Sequence, residues 1–269
     1  LLPFVMATEA FHEHSQRESK GSVNPYVNFS DLGWYAFVLP PLSKQREIAS
    51  LLGKALKCLE ATRSLVSEAK RARLALRELL TERNSSPMRS IGELCKMQNG
   101  RPFPSTDYSD RGAPLLRPAN LGKDGELDWR PGRTVFVPEI YLEEAREYVV
   151  SGGDVIINLT AQSLEDGFMG RACLARGEIE CLLNQRIGRF QQFHDELVPE
   201  YLFRVLQGKR FQGHAMAMCE GSKVKHIFWR HIECFRFRVP PEPQQRLACE
   251  RLREMDAACD TALQKNEEA

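Results

Sequence analysis

The chain has 269 residues, of which 42% are hydrophobic and 27% are charged, so it can bury a sizeable core and is not intrinsically disordered. No apolar run approaches the roughly 18 residues that a membrane-spanning helix needs, which excludes a membrane protein. Eight cysteines occur without a C-x-x-C pair and without histidines at zinc-ligand spacing. This pattern favours a globular protein of the reducing cytoplasm, with thiols in apolar positions, no metal and no cofactor.

Charge is distributed unevenly along the chain. The net charge at neutral pH is only +1, yet residues 43–83 carry +5 and residues 201–240 carry +6. The segments 1–42, 86–200 and 241–269 carry −2, −5 and −3. Because binding responds to local charge, the two basic segments are candidate contacts to an anionic partner.

A diproline separates two kinds of structure near the start of the chain. The segment Trp34–Leu39 is rich in aromatic and branched residues, which predicts a strand, and Pro40-Pro41 ends it. From residue 42 to about 83, apolar residues recur every three or four positions, which predicts one continuous helix of roughly 60 Å with a heptad seam. The seam positions are Ile48, Leu52, Ala55, Leu59, Thr62, Val66, Ala69, Arg73, Leu76 and Leu80.

The central part of the chain, residues 87–240, predicts an α+β domain that is mostly β. Short apolar or branched segments alternate with Gly, Pro and Asp, which is typical of short strands joined by turns. The predicted strands are Pro114–Arg117, Thr134–Val137, Asp154–Asn158 and Gly188–Phe193. Tyr201–Leu206 predicts a helix, preceded by Pro199.

The first 69 residues realign with the last 69 at an offset of 200 residues, without a gap. The clustered identities are Gly21-Ser22 with Gly221-Ser222, Phe37 with Phe237, Pro40-Pro41 with Pro240-Pro241, and Gln45-Arg46 with Gln245-Arg246. The repeat therefore predicts a second strand, Ile232–Val239, followed by a second helix from about residue 242. Its seam positions are Ala248, Leu252, Met255, Cys259 and Ala262.

Two helices of like pattern are expected to pair, and a pseudo-twofold relation between the repeats makes the pairing antiparallel. The simpler alternative is that each helix is amphipathic and packs on its own domain. The long helix also carries basic residues that we expect to be exposed, as a contact to an acidic partner or as a solvated face. They are Lys54, Lys57, Arg63, Lys70 and Arg77.

Residues for binding nucleic acid concentrate in the second basic segment. Phosphates require cations, and base edges require polar side chains such as amides. We expect Gly221–His231 to be a phosphate-contacting loop, although a loop that only increases solubility is the alternative. The candidate DNA-binding residues are Lys223, Lys225, His226, Trp229 and Arg230, together with Asn158 and Gln162 as amides suited to adenine, or else as buried or capping amides.

The sequence predicts no catalytic site. Asp154, Glu165 and Asp166 fit no metal-dependent nuclease spacing, and phosphate-loop, nucleophile-elbow and amino-methyltransferase motifs are absent. Three interpretations remain: a non-catalytic DNA-reading protein, an enzyme with an unrecognised site, and a coiled-coil scaffold without a nucleic-acid role.

The arrangement resembles the DNA sequence-specificity subunit of type I restriction-modification systems. That family has two target-recognition domains, each followed by a long helix with a P-P-L-x-x-Q-x-x-I-A-like start, which stands here as Pro40-Pro41-Leu42-Ser43-Lys44-Gln45-Arg46-Glu47-Ile48-Ala49. The second copy departs from it at Glu242 and Ala248. Further landmarks of the family are Gly92-Glu93-Leu94, Gly100, Pro114–Leu121, Gly152–Ile157 and Tyr201-Leu202-Phe203.

The resemblance implies a domain plan and a set of partners. Residues 1–41 would end a first recognition domain, 42–86 would form a spacer helix, 87–240 a second recognition domain, and 241–269 the start of a second conserved helix. The partners would be double-stranded DNA and the methyltransferase (modification) and restriction subunits of the same system. Because Leu1 is not an initiator Met, we expect a fragment; a half-length subunit that self-associates through its helices and the recognition domain of a fused restriction-methylation enzyme are alternatives.

Overall fold

The computed structural model describes residues 1–178 and 180–267, with side chains described as far as residue 261. The chain forms two compact units, one of residues 1–69 with 260–269, the other of residues 70–259. The helices are α1 Leu2–Met6, α2 Glu9–Arg17, α3 Phe29–Leu32, α4 Leu42–Thr81, α5 Ile91–Leu94, α6 Tyr141–Glu144, α7 Pro199–Leu206, α8 Lys209–Met218, α9 Trp229–Ile232 and α10 Glu242–Glu267. The strands are β1 Met88–Ser90, β2 Lys96–Asn99, β3 Ala113–Leu116, β4 Val135–Val137, β5 Val149–Val150, β6 Val155–Asn158, β7 Thr160–Ala161, β8 Ala172–Leu174, β9 Cys181–Leu183, β10 Ile187–Gln191, β11 Lys225–His226 and β12 Arg236–Arg238.

Most predicted elements occur, and the α+β class is confirmed. Helix α4 covers nearly all of the predicted 42–83 range, α10 begins at the predicted position, and the four predicted strands correspond to β3, β4, β6 and β10. The prediction was wrong for Trp34–Leu39, which forms no strand, although its repeat counterpart contains β12. A strand needs a neighbouring strand to pair with. β12 pairs with β1, whereas among the described residues no strand lies beside 34–39.

The larger unit is built around two four-stranded sheets with the orders β4-β3-β9-β5 and β2-β10-β6-β8. Side chains along each strand alternate between two apolar clusters, as the period of a strand requires. On β6, Ile156 belongs to the cluster shared by both sheets, whereas Val155 and Ile157 belong to the cluster shared with the helices. The second sheet is therefore covered by the first sheet on one face and by helices on the other.

Helix α7 forms the centre of the helical layer. All of Tyr201–Leu206 is buried, including the charged residue Arg204. Phe211 and Ala215 of α8, and Ala248 and Cys249 of α10, join the same cluster. The outer face of the first sheet is covered by Phe103 and by Ala145 after α6. The core of this unit thus combines residues that lie far apart in the sequence, from Phe103 to Cys249.

The end of α4 runs beside α10 within the larger unit. Leu80 packs on the cluster that contains Ala248, and Arg73 forms an ion pair with Asp256 at 3.6 Å. From the first contact to the second, the residue number decreases along α4, from 80 to 73, and increases along α10, from 248 to 256. The two helices therefore run antiparallel in this segment, as predicted. Leu76 and Met255 are half-buried and Leu252 is fully buried.

The remaining seam positions differ in exposure. Ile48 and Leu52 are more than a third exposed and Ala55 is exposed, whereas Leu59 and Val66 are half-buried. The pairing of this part of the seam stays a prediction. The side chain of Ala262 lies outside the described residues.

The 200-residue repeat is also a repeat of contacts inside each unit. His14 Nε2 bonds the carbonyl of Asp31 at 3.0 Å, and His214 Nε2 bonds the carbonyl of His231 at 2.6 Å. Phe11 meets Tyr35 edge to face with ring centroids 5.1 Å apart, and the corresponding pair Phe211 and Phe235 has the same separation. The repeat found in the sequence therefore corresponds to one structural module that occurs twice.

Among the described residues, no helix is both long and apolar enough to cross a membrane. The longest helix, α4, carries charged residues along its whole length. One of its cations departs from the sequence expectation: Arg77 was expected on an exposed basic stripe and is buried instead. Lys54, Lys57, Arg63 and Lys70 are exposed as expected.

Candidate nucleic-acid interface

The basic loop is built on a tight turn that joins α8 to α9. Glu220 and His226 pair their backbones in both directions, at 2.8 and 2.7 Å, and close the turn. Gly221 begins it with φ +108°, and a Cβ there would stand 2.2 Å from the carbonyl oxygen of Val224. Only glycine fits this backbone without strain. The turn therefore has a defined shape that presents Lys223 and Lys225.

The turn is attached to the β domain by a short ladder. Strand β11 pairs antiparallel with β7, placing Lys225 opposite Ala161 and His226 opposite Thr160. Gln162 follows β7 directly and is exposed, as is Lys223, while Lys225 is half-exposed. The structure thus brings Gln162 beside the two lysines, although about sixty residues separate them in the sequence.

The other predicted residues of the loop have structural contacts. Arg230 bonds both oxygens of Glu220, at 2.8 and 2.9 Å, and lies 4.6 Å over the ring of Phe228. The hydrogen bond from Arg230 and the charge of its guanidinium hold the pKa of Glu220 below its ordinary value. His226 stacks on Phe228 with ring centroids 6.1 Å apart. These groups close and support the turn, and the charge of Arg230 is already paired.

Trp229 and Asn158 contribute to the interior of the domain and not to its surface. The ring of Trp229 packs against the main cluster and meets Phe190 edge to face at 6.4 Å. Asn158 is fully buried, and its Nδ2 donates to the carbonyls of Thr160 at 2.6 Å and Phe168 at 2.7 Å. This burial contradicts the expectation that Asn158 reads a base: its amide instead holds the loop after β7.

Sequence reasoning missed two residues at the same edge. Gln185 and Arg186 are exposed in the connection that joins the two sheets, and the carbonyl of Arg186 accepts from the Leu159 backbone at 2.9 Å. The Arg101 carbonyl supports the same connection by accepting from the Gln185 backbone at 2.9 Å, while its guanidinium lies 4.7 Å over the ring of Phe103. The signal that the sequence offered for these residues is the polar triplet Asn184-Gln185-Arg186, which stands between apolar residues.

Arg186 carries an unusual backbone. Its φ is +73°, the left-handed region that residues other than glycine rarely adopt. Such outliers concentrate at functional sites, where the surrounding structure holds them in place. Here the neighbouring β10 residue Ile187 is fully buried and pairs with Asn158, which fixes the turn. Arg186 is therefore held outward at a defined position.

Five side chains form what we call the basic edge: Gln162, Gln185, Arg186, Lys223 and Lys225. They lie along the adjoining ends of β6, β7, β10 and β11, linked by backbone bonds from Leu159 to Arg186 and from Ile227 to Leu159, each at 2.9 Å. Three cations and two amides combine the groups that bind phosphates with those that read base edges. Among the residues that the structure describes, no group of three His, Cys, Asp or Glu side chains is placed to hold a metal ion.

The fold and the basic edge can be compared with those of known proteins. The chain belongs to the family described as type I restriction modification DNA specificity domain, whose model matches residues 85–269. It is similar to the MjaVIII type I restriction enzyme specificity subunit of Methanocaldococcus jannaschii, with 22% identity over 93% of this chain and 62% of that one. It is also similar to the EcoAI specificity subunit of Escherichia coli, with 24% identity over 63% of this chain and 28% of that one.

Solved structures share the fold. The HsdS subunit from Thermoanaerobacter tengcongensis matches 95% of this chain and 61% of its own length, with a TM-score of 0.58 and 16% identity. A type I restriction-modification S subunit from M. genitalium matches 97% of this chain and 67% of its own, with a TM-score of 0.57 and 13% identity. The chain thus spans less than two thirds of the length of both curated relatives and of the first of these structures.

Proposed function

We propose that this chain is a non-catalytic, DNA-reading part of a type I restriction-modification complex. Residues 87–240 read one part of a bipartite target, with the basic edge against the DNA. The observation that carries the proposal is the assembly of Gln162, Arg186, Lys223 and Lys225 at one edge, from three separate parts of the sequence. Cations there neutralise phosphates, and the amides offer donor and acceptor pairs to base edges.

Residues 1–41 fit the role of the last part of a first recognition domain. Their internal contacts match those of 201–241, yet residues that are buried in the second copy are exposed in the first. Phe37 is 40% exposed and Phe237 is 1% exposed, while Leu2 is 57% exposed and Leu202 is buried. In the second copy these positions are covered by the β domain that precedes them in the chain. A body of the same kind would cover the first copy.

The helices are the proposed docking region for the methyltransferase subunits, and through them for the restriction subunit. Lys54, Lys57, Arg63 and Lys70 are exposed cations on α4 and suit an acidic partner surface. Replacing Lys57 and Lys70 by Glu should weaken capture of the chain by its modification subunit in a pull-down. Unchanged capture would remove the basic face of α4 from the docking region.

The DNA-reading role is tested by the salt dependence of binding. Replacing Lys223 and Lys225 together by Ala should weaken binding to every duplex. It should also lower the slope of log affinity against log salt by up to about two, since each phosphate contact contributes about 0.9. Fluorescence anisotropy with a labelled duplex at several salt concentrations measures both quantities.

The matched control replaces Lys96 and Lys209 by Ala. Lys96 lies at the opposite end of the β2 and β10 ladder from Arg186, and Lys209 begins α8, a helix away from the basic turn. Both variants lose two charges, so a global charge effect would weaken binding equally. An equal loss in the two variants, or no loss in the first, would contradict the assignment of the basic edge.

A further inference from the structure

Arg77 is a buried cation without a carboxylate partner of its own. Its side chain is only 6% exposed, and among the described residues no Asp or Glu forms an ion pair with it. Within that part of the chain its single hydrogen bond is long, 3.4 Å from Nη1 to the Gln207 carbonyl, and its Nε has no partner. A buried guanidinium in this state is costly unless something else provides acceptors.

The surrounding charge is positive as well. Arg73 and Arg204 both form ion pairs with Asp256, so one carboxylate serves two cations beside Arg77. Arg204 and Arg253 in turn share Glu200. Burial, opposed by Asp256 and reinforced by the other arginines, lowers the pKa of Arg77 to about 10, which leaves it charged at neutral pH. This cluster therefore contains more cations than carboxylates.

Arg77 lines a cavity of about 370 Å³. Arg73, Lys123 and Gln212 line it too, and so does Gln207, whose Oε1 is buried without a hydrogen-bond partner. The guanidinium needs an acceptor and the amide oxygen needs a donor. A carboxylate or sulfate offers acceptors alone. A water molecule satisfies both hydrogen bonds but leaves the charge unbalanced. A hydrogen phosphate group offers oxygens, an O–H and negative charge together.

The cavity also has an acidic wall. Asp124, Glu165 and Asp166 line it, and Asp124 and Asp166 each accept a backbone N–H in their own turns, at 3.0 and 2.9 Å. Arg171, on the same wall, is occupied by three backbone carbonyls. Carboxylates at this side accept from hydroxyl groups, which suits an ester whose organic part is hydroxylated.

From these contacts we infer that the cavity beside Arg77 is a binding site for hydrogen phosphate, or for a phosphate monoester in the singly protonated form that keeps an O–H. Arg77 and Arg73 hold the phosphate oxygens, and Gln207 Oε1 accepts the phosphate O–H. DNA is not the ligand, because a phosphodiester has no O–H to donate to Gln207. The inference does not depend on the DNA-reading role of the basic edge.

Isothermal titration and thermal melting of the full chain with inorganic phosphate test the site. Ionic strength is held constant with chloride, and sulfate is the comparison anion. Phosphate should bind and raise the melting temperature, and sulfate should bind at least tenfold more weakly. Equal binding of the two anions would show an anion site that makes no use of the phosphate O–H, and no binding of phosphate would mean that the cavity holds only water; either result would overturn the inference.

Two variants and a control assign the residues. Arg77→Gln should lose phosphate binding, whereas Arg83→Gln, an exposed cation just beyond α4 that pairs with Glu78, should retain it. Gln207→Glu places a carboxylate near Arg77, so it should raise the melting temperature without phosphate and abolish the phosphate effect. The Gln207→Glu variant still tests the site if Arg77→Gln fails to fold. Retained phosphate binding in Gln207→Glu, or displacement of phosphate by a short duplex, would contradict the inference.

Discussion

A single glutamine fastens α10 to the domain that precedes it. Gln245 is fully buried; its Oε1 accepts from the Val198 backbone at 2.9 Å, and its Nε2 donates to the carbonyls of Glu196 at 2.6 Å and Pro240 at 2.7 Å. The repeat counterpart Gln45 is half-exposed and donates to the Pro40 carbonyl at 2.8 Å. This geometry explains why a glutamine follows the diproline in both copies.

Replacing Gln245 by Ala should therefore destabilise the chain by about 2–5 kcal/mol, because three backbone groups, one buried and two part-buried, lose their partner. The same change at Gln45 should cost about 1 kcal/mol or less. Urea unfolding of the two variants makes the comparison. Similar losses at both positions would show that the bonds from Gln245 to Glu196 and Val198 contribute little.

The thiols differ by environment, and this gives a pH dependence. Cys58 and Cys234 are exposed and should react quickly with a chromogenic disulfide at neutral pH. Burial raises the pKa of Cys95, Cys181 and Cys249 to about 12, and that of Cys173 still higher. These four should react only as fast as the chain unfolds.

Between about pH 9 and pH 12 the unfolded chain loses thiol protons that the folded chain keeps. The free energy of unfolding should therefore fall as pH rises through this window, by up to about 1.4 kcal/mol per pH unit for each buried thiol. Chemical denaturation at several alkaline pH values measures the slope. Replacing exposed Cys58 by Ser should leave it unchanged, and a flat profile would contradict the prediction.

At the scale of elements, the repeated turn keeps its backbone and changes its chemistry. Lys20 pairs with Tyr26 as Glu220 pairs with His226, and Gly21 has φ +89° where Gly221 has φ +108°. The positions of Lys223 and Lys225, however, are Val23 and Pro25 in the first copy. The turn is thus a structural part of the module, and its cations are particular to the second copy.

Equivalent seam positions of α4 and α10 differ in burial, so their contributions to stability should differ too. Leu252 is fully buried, whereas its counterpart Leu52 is 37% exposed. Leu252→Ala should cost about 2–5 kcal/mol, and Leu52→Ala should cost about 1 kcal/mol or less in this chain. Guanidinium unfolding distinguishes them. A large cost at Leu52 that grows with protein concentration would indicate that another copy covers the seam.

At the scale of the whole molecule, the proposed function assigns α4 the role of a spacer. A small domain covers only a few base pairs, so a long target needs two readers held apart. Deleting the heptad Leu59–Leu65 keeps the seam in phase and shortens the helix by about 10 Å, close to three base pairs of DNA. A methylation map of cells that carry this variant should show a shorter spacer between unchanged half-sequences.

Exchanging residues 88–239 for those of a relative is the complementary experiment. It should change one half-sequence of the target and leave the spacer and the other half intact, because the exchanged segment contains the basic edge but not α4. The same methylation map provides the measurement. A change in both half-sequences would contradict the assignment of one domain to each half.

The sequence by itself determined the elements and their repetition. Heptad spacing predicted α4 over nearly its whole length, and the offset of 200 residues predicted the shared module, because both depend on residues close in the chain or on direct identity. Tertiary structure decided which residues reach the surface together. Asn158 is buried by β10 and the loop after β7, Arg77 is buried beside α7, and Arg186 becomes part of the basic edge through a left-handed turn. Burial and backbone strain arise from packing between distant segments, which local patterns do not encode.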